Sequence, residues 1–434
     1  MIICPDWLIT SADQAKESMA LRVIDGIVDK IGPPADLITQ HPQDEVFDAS
    51  GCAVLPGFVN SHVHLYGTLA HGIVIETPPT GFESFLDDYW WPQVEDRLDQ
   101  QMISAASEWV CAEMLRSGTT TFFDICEAPR ALSGVLSIEA DQCRRAGLRG
   151  IFSFEATERS GAKIAEVSLR ENLDFIDDHR NDDLITGAVS WHTVFTCSSR
   201  FIERAAAEAR SRDAWFHAHC NEGTHEGNWA RQHLGSDTMA FYRDLGVAGS
   251  SFLASQCVQM TEDEIDIIAE SGTRVSHMPL SNCEVGGGIA PVSELHSKGV
   301  TIGLGTDGYV NDMYEVMRGA FWLQKARLLD PSSTPAHEVL HMATEGGARA
   351  LGIENLGRLE PGWTADLQVL KIDVPTPIDS TTSADQLVLW RSGHHVRDVM
   401  VAGEWRVRNG EVLGIDVERS AARVREEAGR LWGR

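Results

Sequence analysis

Between residues 56 and 360 of this 434-residue chain, short apolar or β-branched runs alternate with longer stretches of helical periodicity. The short runs predict strands at 54–64, 119–126, 150–155, 187–192, 215–220, 252–257, 273–277 and 300–304. Helices are expected between several of them, among others at 102–116, 201–210 and 261–270. That alternation predicts an α/β fold, a (β/α)₈ TIM barrel. Residues 1–55 read differently, as short strands and turns: Val23-Ile24 and Ile27-Val28 flank Asp25-Gly26, a hairpin signal. Residues 361–434 repeat that style, with turns at Ala402-Gly403 and Asn409-Gly410. Both chain ends are therefore expected to join in one small β-sandwich domain beside the barrel. The last stretch, 417–432, predicts an amphipathic helix that packs on the body or on a second subunit.

Three strand ends carry candidate chemistry. On a strand, positions i and i+2 share a face, so His62 and His64 in PGFVNSHVH both point to one side. His219 and Glu222 follow another run in HAHCNEG, and Asp307 follows a third in GLGTDG. Singly, each has an ordinary structural explanation: a chance His pair, or an Asp capping a helix. Together, three imidazoles and a carboxylate from three strand ends make an N/O ligand set for zinc or another first-row metal. The ends of barrel strands are also where such folds carry active sites.

Composition narrows the partners. A formal net charge of −28 argues against a phosphate backbone or an anionic membrane as partner. No apolar run is long enough to span a bilayer, and Met1 to Thr10 do not read as a signal peptide. Nine cysteines, an odd number without a C-x-x-C pair, read as reduced thiols of a cytoplasmic protein.

In order along the chain, PGFVNSHVH, WWPQVEDRL, SGTTTFFD, HTVFTCS, HAHCNEG, VSHMPLSN, GGGIAPV, LGTDGYVNDM and GRLEPGWTADLQVL resemble the amidohydrolase superfamily. The likeness is to its branch of heterocycle aminohydrolases and chlorohydrolases, and it spans nearly the whole chain. The resemblance implies one divalent metal on His62, His64, His219 and Asp307, with zinc the best fit and iron or manganese as alternatives. It makes Glu222 and Asp307 the catalytic carboxylates, Glu222 moving protons, and brings His192 to the substrate. The implied activity is metal-activated hydrolysis that deaminates a small planar nitrogen heterocycle of pterin, purine, pyrimidine or triazine type. Hydrolysis of a cyclic amide or carbon–halogen bond is the alternative, and a non-catalytic metal-binding accessory protein the second. A homodimer or higher homo-oligomer is the implied assembly.

One position departs from the family. Gln256 stands where a sixth-strand histidine is expected. An amide can position water or substrate by hydrogen bonds but cannot shuttle a proton. His277 or His217 is a candidate to replace the missing imidazole. His277 is expected to close the pocket wall through a hydrogen bond, and His71 to line the pocket from the first loop. Glu155 and Glu127, ending strands, are candidates for substrate contact, with salt bridges or capping as the plain alternative. Trp90 and Trp91 are expected to pack a lid-like segment.

Overall fold

The eight expected strands form the wall of a parallel barrel in the computed structural model, which describes residues 1–373, 375–376 and 378–433. They are β1 (Phe58–Val63), β2 (Thr119–Cys126), β3 (Arg149–Ala156), β4 (Val189–Trp191), β5 (Phe216–Cys220), β6 (Phe252–Gln256), β7 (Arg274–His277) and β8 (Ile302–Leu304). Each pairs in parallel with the next. All residues of β2, β5 and β6 are buried, as strands enclosed between a filled barrel and a ring of helices must be. The ring closes at its rim. The carbonyl of His62 accepts the backbone N–H groups of Thr306 and Asp307, both at 3.0 Å, and Val63 pairs with Asp307.

Two strand boundaries differ from the sequence reading. Val54, Leu55 and Pro56 belong to Val46–Pro56, a strand of the terminal sheet, and the chain enters the barrel through Gly57. The pattern stays apolar across that passage because both strands are buried, so it does not mark the change of sheet. A Cβ on Gly57 would lie 2.2 Å from Thr120 Cγ2, which leaves no room for a side chain. The run at 187–192 divides into Ile185–Gly187, paired with β3, and β4, each too short to show a period.

Both chain ends build one nine-stranded sheet. Val46–Pro56 lies parallel to Ile2–Ser11 and antiparallel to Leu367–Lys371, which ties the ends together. The strand Ile27–Gly32 bonds back to the segment before Leu367, with Val28 N 2.8 Å from Trp363 O. The sheet thus folds over a core that includes Ile3, Leu8, Val54, Leu367 and Met400. Asp25-Gly26, Ala402-Gly403 and Asn409-Gly410 all have positive φ at both residues, the geometry of a tight two-residue hairpin.

Helix α1 (Gln100–Arg116) starts at Asp99, whose carboxylate accepts Gln101 N–H and Met102 N–H at 3.0 Å. Helix α2 (Val417–Leu431) packs on α1, where Arg423 reaches Ser104 Oγ at 2.9 Å and Arg430 reaches Asp99 at 2.6 Å. Its packing face is spent on the chain's own body, so it lends no support to a second subunit. No described helix is long and apolar enough to cross a membrane.

Under the first barrel loop, Asp124 of β2 accepts Leu65 N–H at 2.8 Å and faces Glu139 of the helix Val135–Ala146. Burial pushes both acids up, Asp124 to about 7 and Glu139 well above the carboxylate range. Between about pH 4, where such groups titrate in an unfolded chain, and pH 7, the folded chain holds a proton that the unfolded chain releases. Stability from this pair therefore falls as pH rises through that window. Glu139→Gln, an amide that donates to Asp124 at every pH, is expected to flatten the fall. Urea midpoints from pH 4 to 8 check this, and an unchanged slope would show that the pair carries no linked proton.

Candidate metal centre and active-site pocket

The period of a strand places His62 and His64 on the inner face of β1, and β5 brings His219 beside them. Donor atoms of the three rings lie within 4.8 Å of one another. His64 Nδ1 stands 2.6 Å from the Ile125 carbonyl, a contact that only an N–H satisfies, so Nε2 is the nitrogen left to face the cluster. That nitrogen faces His62 Nε2 at 3.3 Å and Asp307 Oδ1 at 3.5 Å. Burial drives His62 well below the usual imidazole range and His219 to about 3, so both rings are neutral. Burial would raise the Asp307 carboxyl, but the His64 and His62 rings and the Ser281 hydroxyl outweigh it and hold it ionised. Neutral imidazole nitrogens and an ionised carboxylate converging on one point fit a divalent cation.

The surroundings fix these groups. His62 Nδ1 meets Ser255 Oγ at 2.8 Å, and the same oxygen meets His217 Nε2 at 2.7 Å. His217 Nδ1 in turn meets Ser190 Oγ at 2.7 Å. Both nitrogens of His217 are engaged behind the centre, so it supports His62 and does not stand in for the missing imidazole. Asp307 has φ +60° and accepts three hydrogen bonds: from Ser281 Oγ at 2.6 Å, Gln256 Nε2 at 2.8 Å and Gly308 N at 2.8 Å.

The pocket beside this cluster is lined by Glu222, Gln256 and Asp307 together with Glu155, His192 and Glu95. Burial, then the charges of Asp307 and Glu226, push the Glu222 carboxyl well above its usual range. Gln256 is fully buried, and its Oε1 has no hydrogen-bond partner. His192 Nδ1 is anchored on Thr196 Oγ1 at 2.9 Å, and Nε2 lies 3.6 Å from Glu155 Oε1. Glu155 Oε2 is 3.4 Å from His219 Nδ1. Phe85, Trp90 and Tyr309 form a stacked aromatic cover, with Trp90 and Phe85 centroids 5.6 Å apart and Trp90 and Tyr309 centroids 6.5 Å apart. Trp90 lies in this cover, whereas Trp91 packs beside His192 and under the Arg159 guanidinium.

Two expected pocket residues lie elsewhere. His277 is buried at the end of β7 with neither ring nitrogen hydrogen-bonded, so it makes no wall-closing hydrogen bond, and it is not among the residues that line this pocket. His71 donates from Nε2 to the Gly308 carbonyl at 2.8 Å and lines the neighbouring cavities behind Tyr309. Sequence reasoning missed Glu95 and Arg159. Arg159 donates to Glu127 at 2.7 Å, Asp96 at 2.9 Å and Glu95 at 3.1 Å, with its guanidinium over Trp91. Glu127 is thus spent in a salt bridge. The motifs WWPQVEDRL and FEATERSG hold both missed residues, and were the available signal.

The amidohydrolase family model matches residues 53–406, and the chain belongs to that family. It is 33% identical over 414 residues to the 5-methylthioadenosine/S-adenosylhomocysteine deaminase of Nitratidesulfovibrio vulgaris, covering 94% of this chain and 92% of that one. It is 33% identical to the 5'-deoxyadenosine deaminase of Methanothermobacter thermautotrophicus, covering 88% of each. An adenosine deaminase from Xanthomonas campestris, solved with bound zinc, superposes with a TM-score of 0.90 at 26% identity, covering 100% of this chain and 98% of that one. The chain is accordingly a metal-dependent hydrolase acting on carbon–nitrogen bonds.

The loops that carry His64 and Asp307 touch at Gly67, where a Cβ would lie 2.5 Å from Gly308 Cα and 2.6 Å from its carbonyl oxygen. Backbone cannot yield as a flexible side chain does. Gly67→Ala is expected to cost about 1–3 kcal/mol in stability and to lower metal retention through dialysis. Wild-type melting and full metal content in that variant would show that the two loops need not touch.

Proposed function

We propose that this chain is a zinc-dependent deaminase of a small amino-substituted nitrogen heterocycle. His62, His64, His219 and Asp307 would hold the ion. The observation that carries the reading is the convergence of imidazole lone pairs and an ionised carboxylate beneath a pocket walled by Glu222. The deaminase relatives support the choice of reaction within the family.

A divalent ion in that ligand set supplies Lewis acidity, which makes water a nucleophile near neutral pH. The chain's own residues do the rest. Asp307, capped by Ser281, Gln256 and Gly308, stays ionised and fixed in place. Glu222 has its carboxyl raised by burial, and so holds a proton more readily than an ordinary carboxylate does. It is the group that takes the two protons of the attacking water in turn, passing the first to a ring nitrogen and the second to the departing amine. Gln256 orients through its amide and carries no proton, so the proton work falls to Glu222. The aromatic cover of Phe85, Trp90 and Tyr309 excludes bulk water and offers flat faces to a planar ring.

Glu222→Gln keeps the shape of the side chain and removes its acid–base function. Ammonia release is expected to fall about 10²- to 10⁴-fold, with bound metal unchanged by elemental analysis. A near-normal rate in that variant would take Glu222 out of the mechanism. Gln256→His is expected to retain the full metal content, since residue 256 stands outside the ligand set. Loss of the metal there would place Gln256 among the ligands.

A further inference from the structure

The pocket beside the metal-site cluster is too small for the ring it would hold. Its free volume is about 40 Å³, whereas small-molecule pockets run to about 300–1,000 Å³. Two cavities of that larger size lie against it. One, of about 610 Å³, shares Phe85 and Trp90 with the pocket, and Val285 and Tyr309 besides. The other, of about 320 Å³, shares Leu86 and Trp91. Phe85, Leu86, Trp90 and Trp91 all belong to Phe85–Val94, which winds as a π-helix with Pro92 inside it. Such widened turns are rare and recur at functional sites. Outward movement of this one segment would join the pocket to ligand-sized space on both sides.

The two ends of the segment are held unequally. At its C-terminal end Arg159, 11% exposed, donates to Asp96 at 2.9 Å and Glu95 at 3.1 Å, and Tyr66 Oη–H adds a bond to Glu95 at 2.8 Å. Charge-assisted bonds of this kind are the strong ones. At its N-terminal end Glu83, 65% exposed, stands 3.3 Å from His225 Nδ1. An exposed pair adds little stability and parts readily. Phe82 lies beside it on Gly223, where a Cβ would be 2.8 Å from Phe82 Cβ. Gly223 directly follows Glu222, and His225 comes two residues later. The weakly held end of the cover therefore rests on the loop that carries Glu222.

We propose that residues 82–94 are a lid, pinned at the Arg159 end and latched at the other by Glu83 on His225 and Phe82 on Gly223. It opens to admit the substrate and, when shut, lays its latched end on the Glu222 loop. The lid itself stands on the cavities and contacts, and its link to turnover rests on the deaminase reading.

A disulfide across the latch tests it: Phe82→Cys with Gly223→Cys, and the exposed Cys283 changed to Ser. A small outward shift brings the two Cβ atoms to the separation of about 3.5–4.5 Å that a disulfide spans. Zinc-loaded protein is compared oxidised and reduced by ammonia release and by the rate of zinc loss to EDTA, a readout of access that needs no turnover. Oxidation is expected to slow both by about 100-fold or more, and reduction to restore both. Cross-linked protein that keeps its rates overturns the proposal. So do thiols that fail to pair, since Phe82 would then not rest on Gly223. In Glu83→Gln and in His225→Gln, zinc loss is expected to quicken about two- to fivefold at the wild-type melting temperature, and the double variant to be no faster than either. Unchanged rates in both single variants, or effects that simply add in the double, overturn the latch and the proposal with it. No ammonia from any ring, with zinc loss still slowed by oxidation, overturns the deaminase reading and leaves the lid in place.

Discussion

The His62 carbonyl, bonded to the N–H groups of Thr306 and Asp307 at 3.0 Å, is the contact on which the site depends. It closes the barrel between β8 and β1 and brings the Asp307 carboxylate to the imidazoles of β1. Asp307 must then turn with φ +60°, a region an L-residue enters at a cost. Gly308 follows at once and meets Gly67 at backbone distance, so the two loops leave the seam in contact. The same few residues thus complete the fold and gather the imidazoles and the carboxylate of the candidate cation site.

Burial sets the chemistry of what the seam gathers. The rings of His62, His192, His217 and His219 are all driven below the imidazole range, so they form a group of neutral bases. Asp307 stays anionic because rings and donors face it from several sides, while Glu222, with fewer donors, is pushed up. Two carboxyl groups in one pocket are thereby driven in opposite directions, Asp307 down and Glu222 up, a division their surroundings impose. Glu95, Glu127 and Glu155 repeat the theme across the pocket, where Arg159 serves two of the three.

Much of this was legible in the sequence because periodicity encodes which side faces inward. The H-x-H spacing of His62 and His64, the offset from His219 to Glu222 and the turn at Asp307 each report local geometry. The hairpins at Asp25-Gly26 and Asn409-Gly410 were legible because only a few residue types accept positive φ. What stayed hidden involves pairs distant in sequence. Gln256 bonding Asp307, Ser255 bridging His62 and His217, and Arg159 joining Glu95 to Glu127 are long-range contacts with no local signature. His277 misled for a related reason: a histidine at a strand end looks like a pocket residue, and only the fold shows that it is buried without a hydrogen-bond partner and outside the pocket lining. The change of sheet at Gly57 escaped because burial continues across it.

The central claim is that this cation site does hydrolytic chemistry on an aminated ring. Its most direct test is ammonia release from a panel of amino-substituted pterins, purines, pyrimidines and triazines, using zinc-loaded and metal-stripped protein side by side. The account predicts release from one ring class by the loaded protein, lost on stripping and restored by adding zinc back. Fully loaded protein that releases no ammonia from any ring, or release that survives stripping, would contradict it.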